Sequence, residues 1–178
     1  IYPVYELDSD GNAILENGKR VFDYGSSRPA GAQNNRNCIA TLFDDDYNMT
    51  SDNVNLRGHL GIKFGDFKLS TSLGADILNE NNNTKYNRNN GNAAGSGRLT
   101  KEYQRTRSYT WNQLLSYKHV FGEHTVDVMA GHEFYNIESH YLMGQRTGFP
   151  FDDFTELGMG STLADATSTG ETYSINSW

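Results

Sequence analysis

The chain is poor in cysteine and proline, and it has no long apolar run. Among 178 residues there is one cysteine, Cys38, which excludes an internal disulfide framework. No stretch reaches the roughly 18 consecutive apolar residues of a membrane-spanning helix, so any membrane crossing must use strands. The net charge is -7 and basic residues do not cluster with aromatics, which argues against a nucleic-acid partner.

Enzyme and metal-site motifs are also missing. The five histidines form no H-E-x-x-H set, and there is no nucleophile elbow or phosphate-binding loop. Residues 8–12, DSDGN, lack EF-hand spacing and are interpreted as a hairpin turn. The acidic runs 44–46 and 152–153 could hold a hard cation, but solvated acidic loops are favoured. We expect no enzyme activity, no cofactor and no metal site, and no motif assigns a substrate-binding residue.

What the chain does contain is a hairpin pattern over residues 54–77. Apolar and polar residues alternate along 54–64 and again along 67–77, with Gly65-Asp66 between them. Such alternation predicts strands, and a two-residue link containing glycine predicts a tight turn. The turn pairs Ile62 with Leu69, so the apolar residues of both strands share one face.

A second hairpin repeats the design around Gly122-Glu123. The register pairs Tyr117 with Val128, and on the reverse face it sets Lys118 opposite Asp127. Ten residue steps, tilted by about 40°, give a height of roughly 25 Å, the apolar band of an outer-membrane barrel. Aromatic residues stand near both ends of this band, as in interfacial girdles: Phe64, Phe67, Tyr109, Trp111 and Phe121.

The alternation predicts which side chains face lipid. We expect an outward set comprising Leu56, Leu60, Ile62, Leu69, Leu73, Leu115 and Val128, and an inward set comprising Arg57, His59, Lys118 and Asp127. Gln113 and His132 lie opposite each other and interrupt the outward face. A soluble sheet would tolerate such a polar pair more readily than a membrane barrel. Alternation alone leaves both a membrane barrel and a soluble sheet open.

The organisation of the chain favours the barrel. We predict an irregular 1–52 with a small meander, a hairpin at 53–78, a long loop at 79–103, a hairpin at 104–143, a long loop at 144–170 and the start of a fifth strand at 171–178. The meander uses 4–7, 13–15 and 20–24, and residues 25–37 are predicted to be a loop. Short turns at one end and long loops at the other are typical of outer-membrane barrels, whose long loops are extracellular.

The two ends of the sequence predict a fragment of a longer protein. Ile1 is not an initiator methionine, and no signal peptide precedes it. Trp178 interrupts the alternation that Tyr173 and Ile175 begin. The fold class expected is therefore all-β: about five antiparallel strands of a transmembrane β-barrel, incomplete on their own.

Several segments resemble the SusC/RagA-type branch of TonB-dependent outer-membrane transporters. They lie at 1–5, 10–12, 22–25, 65–69, 112–117, 121–124 and 126–133, of which the last, VDVMAGHE, is the most specific. The resemblance implies an interior piece of a 22-stranded barrel in a Gram-negative outer membrane. It also implies a plug, coupling to TonB and a SusD-like lipoprotein lid that captures oligosaccharides or peptides. Neither a plug nor a TonB-contacting segment lies within these residues.

The sequence supports two candidate functions. The first is a wall segment of a SusC-like importer, in contact with outer-membrane lipid. The alternative is a soluble β-sheet module that binds carbohydrate or acts as an adhesin through its loop aromatics. Detergent dependence separates them, because a barrel piece exposes a contiguous apolar face and aggregates without detergent.

Overall fold

The computed structural model describes residues 4–25 and 37–178, and most of them lie in antiparallel strands. A two-stranded sheet pairs β1 with β2, and a five-stranded sheet has the order β3-β4-β5-β6-β7. Each strand thus lies beside its neighbour in sequence. The elements are β1 Leu15–Glu16, β2 Lys19–Arg20, α1 Cys38–Asp44, β3 Asp46–Phe64, β4 Phe67–Tyr86, β5 Arg98–Phe121, β6 His124–Thr147 and β7 Thr162–Ser177, with 3-10 turns at Gly91–Ala93 and Leu157–Met159.

The chain divides into two compact units. Unit 1 comprises residues 1–49, 82–102 and 143–167, of which 1–3 and 26–36 lie outside the described ranges. Unit 2 comprises residues 50–81, 103–142 and 168–178. No helix in the described residues is long and apolar enough to cross a membrane.

Both tight turns form where the sequence predicts them. Gly65 and Gly122 adopt positive φ angles of 57° and 61°, a conformation that glycine adopts without steric cost. Phe64 stacks on Phe67 across the first turn, with ring centroids 5.6 Å apart. Farther from that turn, the guanidinium of Arg57 lies over Gly74, where a Cβ would be only 2.9 Å from Nη1. These contacts match the predicted register of the first hairpin.

The register of the second hairpin is confirmed along most of its length. Lys118 Nζ lies 3.9 Å from Asp127 Oδ2, and His132 Nδ1 lies 3.3 Å from Gln113 Oε1. Arg107 donates to Glu138 at 3.0 Å, again between positions that the turn places opposite each other. An unbroken register means that residues alternate between the two faces without a bulge.

The strands are longer, and the loops shorter, than the sequence predicts. The loop predicted at 79–103 is reduced to residues 87–97, because β4 continues to Tyr86 and β5 begins at Arg98. The loop predicted at 144–170 is reduced to 148–161, because β6 ends at Thr147 and β7 begins at Thr162, ahead of the predicted 171. Pairing with a neighbour on each side outweighs the low strand propensity of the asparagine run at 81–83.

The segment predicted as irregular, 1–52, is partly ordered. Its meander is confirmed by bridges between Tyr5 and Phe22 and between Leu7 and Ala13, and by the β1–β2 turn. Two of its parts need correction: 38–44 forms α1, capped by the Asn37 side chain, and β3 begins at Asp46. The predicted loop at 25–37 lies mostly outside the described residues.

Candidate functional site

One face of the sheet in unit 2 is apolar and solvent-exposed. Leu60 on β3, Leu73 on β4 and Val128 on β6 are 59%, 58% and 57% exposed, respectively. The other exposed apolar members of this face, which we call the apolar face, include Val54, Leu56, Ile62, Phe64, Phe67, Leu69, Leu115, Phe121 and Val126. Exposed apolar surface this continuous is typical of a face that meets lipid or another protein.

Aromatic rings stand at both ends of the apolar face. Near the turns, the rings of Phe67 and Tyr117 have centroids 4.7 Å apart, and those of His119 and Phe121 are 4.3 Å apart. His119 also meets the turn, with Nδ1 2.5 Å from Asp66 Oδ2. At the other end Trp111 donates from Nε1 to Thr71 Oγ1 at 2.9 Å. Amphipathic rings with a satisfied polar edge suit a membrane–water interface.

Beyond Trp111, the same side of the sheet becomes polar. Four residues farther along β5, Arg107 pairs with Glu138, and Asn136 donates to Ser174 at 2.9 Å. The apolar face is therefore a band with a polar margin. Inside the band, next to Trp111, His132 forms hydrogen bonds with both Gln113 and Asn176. Its ring contacts that of Trp178 in a tilted arrangement, with centroids 4.2 Å apart. The polar pair predicted at Gln113 and His132 is thus hydrogen-bonded.

The reverse side of the sheet in unit 2, which we call the polar face, carries cross-strand ion pairs. Arg57 donates from Nη2 to both carboxylate oxygens of Asp76, at 3.2 and 3.0 Å. Ser108 reaches the same carboxylate at 3.5 Å. Near the turns, a concave surface is lined by basic and acidic side chains, among them Lys63, Lys68, Lys118 and Asp127. The predicted inward residues Arg57, Lys118 and Asp127 therefore share one face.

In unit 1, an asparagine network ties the loop after β4 to α1. Asn90 is buried, and its Nδ2 donates to Asn37 O and to Thr41 Oγ1, both at 2.8 Å. Asn37 donates to Val4 O and Asp23 O, and its Oδ1 caps the first turn of α1. These bonds satisfy backbone groups that would otherwise be left unpaired around the helix.

The acidic run at 44–46 is not the solvated loop that the sequence favoured. Asp44 accepts a hydrogen bond from Tyr24 at 2.8 Å, and Asp45 accepts from the backbone and side-chain nitrogens of Asn87 at 2.7 and 2.6 Å. Burial, with the Asp44 hydrogen bond, raises the pKa of Tyr24 well above its usual value, so the phenol remains a donor. Within residues 4–25 and 37–178, no three His, Cys, Asp or Glu side chains are grouped for a metal ion.

The other acidic segments also have protein partners. Asp8 accepts from the backbone nitrogens of Asp10 and Asn12 at 3.0 and 2.8 Å, which forms the turn that the sequence predicts at 8–12. Asp152 lies 3.9 Å from Nε of Arg88. The asparagine network was not predicted; Asn37 alone offered a signal, because asparagine before a short apolar run is a helix N-cap signature.

Replacing Asn90 with alanine should open the loop at 87–97. The change removes two donated bonds and the bond that Asn37 N donates to Asn90 Oδ1, leaving buried groups unpaired. We expect a local loss of about 1–3 kcal/mol, read as faster amide hydrogen exchange across 87–97 in the full-length protein. Asn89→Ala, at an exposed neighbouring position, is the matched control. Equal exchange rates in the two variants would contradict the assigned role of the network.

Three solved structures similar to this chain are of the RagAB peptide importer. The RagAB peptide importer in its closed-closed state matches with a TM-score of 0.70 and 21% identity over 75% of this chain. The RagAB peptide transporter and the open-open state of the importer match at 0.70 and 22% over 78%. This chain spans 16% of the length of each matched chain. The likeness establishes the fold, which is a five-stranded part of a β-barrel.

No protein-family description matches the sequence, and no curated protein is similar to it.

Proposed function

We propose that this chain is a wall segment of an outer-membrane β-barrel that imports peptides or oligosaccharides. The observation that carries the proposal is the two-faced sheet of unit 2, with an apolar band ended by aromatics on one side and cross-strand ion pairs on the other. In a barrel of this kind the apolar face meets lipid and the polar face lines the interior. The structural likeness to RagAB chains supports the same reading.

The wall must be completed by further strands. In the five-stranded sheet, β3 and β7 are the two edges. In hydrocarbon, each backbone group left unpaired at an open edge costs several kcal/mol, so spanning sheets close into barrels. Transport therefore belongs to a longer protein that contains this chain, and no catalytic step is assigned to these residues.

The sequence resemblance extends the proposal to partners. It implies coupling to TonB, through parts of the longer protein, and a SusD-like lipoprotein over the extracellular end. In the order of elements, the β4–β5 and β6–β7 connections alternate with the two tight turns, as the long and short connections of a barrel do. We propose that these connections, 87–97 and 148–161, lie outside the cell, within reach of such a lid.

Uptake by cells tests the proposal. The gene for the full-length protein is deleted from a Gram-negative host that carries it and then restored on a plasmid. Uptake of a labelled peptide mixture and of a labelled oligosaccharide mixture is measured with and without TonB. We expect one of the two uptakes to need both the protein and TonB, and the protein to fractionate with the outer membrane.

The soluble alternative predicts a different result. A carbohydrate-binding or adhesin module would be recovered monodisperse without detergent, and its loss would leave uptake unchanged. That outcome would overturn the wall assignment.

A further inference from the structure

The strands β6 and β7 carry apolar side chains on the polar face as well. Asn136 donates a hydrogen bond to Ser174, the His132 ring contacts that of Trp178, and a Cβ at Gly170 would lie 3.1 Å from His140. These contacts place the even-numbered residues of both strands on the side of the apolar face. Because side chains alternate, the odd-numbered residues lie on the polar face.

In unit 2, six of these odd-numbered residues are large and apolar or aromatic: Met129, Tyr135, Ile137, Tyr141, Tyr173 and Ile175. Four of them are neighbours across the two strands. With Asn136 opposite Ser174, the neighbouring positions pair Tyr135 with Ile175 and Ile137 with Tyr173 on the polar face. Tyr173 is 60% exposed and Ile175 is 39% exposed. A lipid-facing role does not account for them, since they lie on the side of Asp127 and Lys118. Tyrosine and isoleucine side chains grouped on a surface that also carries charged groups are typical of a ligand-binding site.

Two carboxylates flank this patch. Glu133 and Glu171 occupy odd-numbered positions, two residues before Tyr135 and Tyr173, and so lie on the same face. Within unit 2, the described residues of β6 and β7 place no lysine, arginine or histidine on that face, whereas His124, His132 and His140 lie on the other. The lysines of the polar face, Lys63, Lys68 and Lys118, are grouped near the tight turns.

We propose that Tyr135, Ile137, Tyr173 and Ile175, with Glu133 and Glu171, form an acid-flanked platform that binds cationic peptide. Negative charge beside exposed aromatic rings complements a lysine or arginine side chain or a terminal ammonium, by charge attraction and by cation–π contact. A neutral oligosaccharide could stack on the tyrosines but offers no charge to the two carboxylates. The inference rests on the proposed function and deepens it, because it selects basic peptides among the substrates.

Binding to the purified full-length protein in detergent tests the platform. The probes are a labelled malto-oligosaccharide and three short peptides of equal length, each with its N-terminal amine blocked by the fluorophore. Each peptide has one tyrosine and either two lysines, two glutamates or two serines. We expect the lysine peptide to bind tighter than the glutamate peptide, with a preference that falls as salt rises. Glu171→Gln and Glu133→Gln should each weaken the lysine peptide about three- to tenfold and leave the serine peptide unchanged.

The control variant carries the same charge change elsewhere. Glu123→Gln lies in the β5–β6 turn, ten residues along β6 from Glu133, or about 33 Å. It should leave all three peptides unaffected, while Tyr173→Ala should weaken both the lysine and the serine peptide, and the lysine peptide more, because only lysine makes the cation–π contact. Equal affinity for the lysine and glutamate peptides, or no effect of the two glutamine variants, would overturn the platform while leaving peptide import standing. Binding of the malto-oligosaccharide alone would overturn the peptide assignment, and binding of no probe would count against both proposals.

Discussion

Replacing Leu60 with lysine is expected to lower the folding stability of the full-length protein in a membrane by about 2–4 kcal/mol. Leu60 lies on the apolar face, four residues before β3 ends at Phe64, and 59% of its surface is exposed. A lysine there would hold its ammonium against hydrocarbon near mid-band, too far from either margin for the side chain to reach water easily. The measurement is a denaturant titration of the full-length protein refolded into lipid vesicles.

The matched change is Ser72→Lys on β4. Ser72 lies on the polar face, in the surface lined by Arg57, His59 and Asn112. A lysine there should meet water or polar partners, so we expect a change near zero. Equal losses of folding stability for the Leu60 and Ser72 variants would contradict the assignment of the two faces. A large loss for the Ser72 variant alone would mean that the faces are reversed.

The hairpins could be predicted from the sequence because the residues that determine them are close together in the chain. Alternation over 54–77 and the two glycine-containing turns fix which residues face each other once the turn length is known. Lys118 and Asp127 meet for this reason, and so do Gln113 and His132. A mismatch in register would have moved every apolar side chain to the wrong face, so the pattern had only one consistent solution.

The far ends of the strands were not predictable in the same way. Residues 79–86 and 98–103 are polar and rich in asparagine, and such composition is typical of loops. They nevertheless form strand, because each pairs with neighbours on both sides in the sheet. Tertiary pairing thus overrides local propensity, and neither the alternation nor the turn signals could reveal where the pairing ends.

Features of unit 1 depend on contacts between distant residues. Asn37 and Asn90 are 53 positions apart, and no spacing rule links them. Likewise, Phe149 and Phe154 occur in a segment that the sequence predicts to be a loop, yet they are buried with Leu99. On the candidate platform, the sequence marks Tyr173 and Ile175 as alternating, but only the contacts of β6 and β7 assign them to the polar face.

Replacing Phe154 with alanine should have the largest effect on the connection between β6 and β7. Phe154 has no exposed surface and stacks on Phe149, with ring centroids 3.9 Å apart. The ammonium of Lys85 lies 4.9 Å from the ring centroid, and Gly97 approaches so closely that a Cβ would be 3.0 Å from it. Removing a fully buried phenylalanine costs about 3–5 kcal/mol through lost transfer energy and the remaining cavity.

That loss should appear as local opening. Few apolar residues are buried with Phe154 in the described part of unit 1, so the apolar packing of residues 148–161 depends mainly on this side chain. We expect hydrogen exchange over 148–161 to accelerate strongly in the full-length protein, while exchange in the tight turns at 65–66 and 122–123 stays unchanged.

Phe151→Ala is the control, because that side chain is 47% exposed and its loss should lower stability by at most about 0.5 kcal/mol. If residues 148–161 exchanged at the same rate in the Phe154→Ala and Phe151→Ala variants, Phe154 would not anchor the connection. If the tight turns also became labile, the two units would unfold together and the anchoring would not be local.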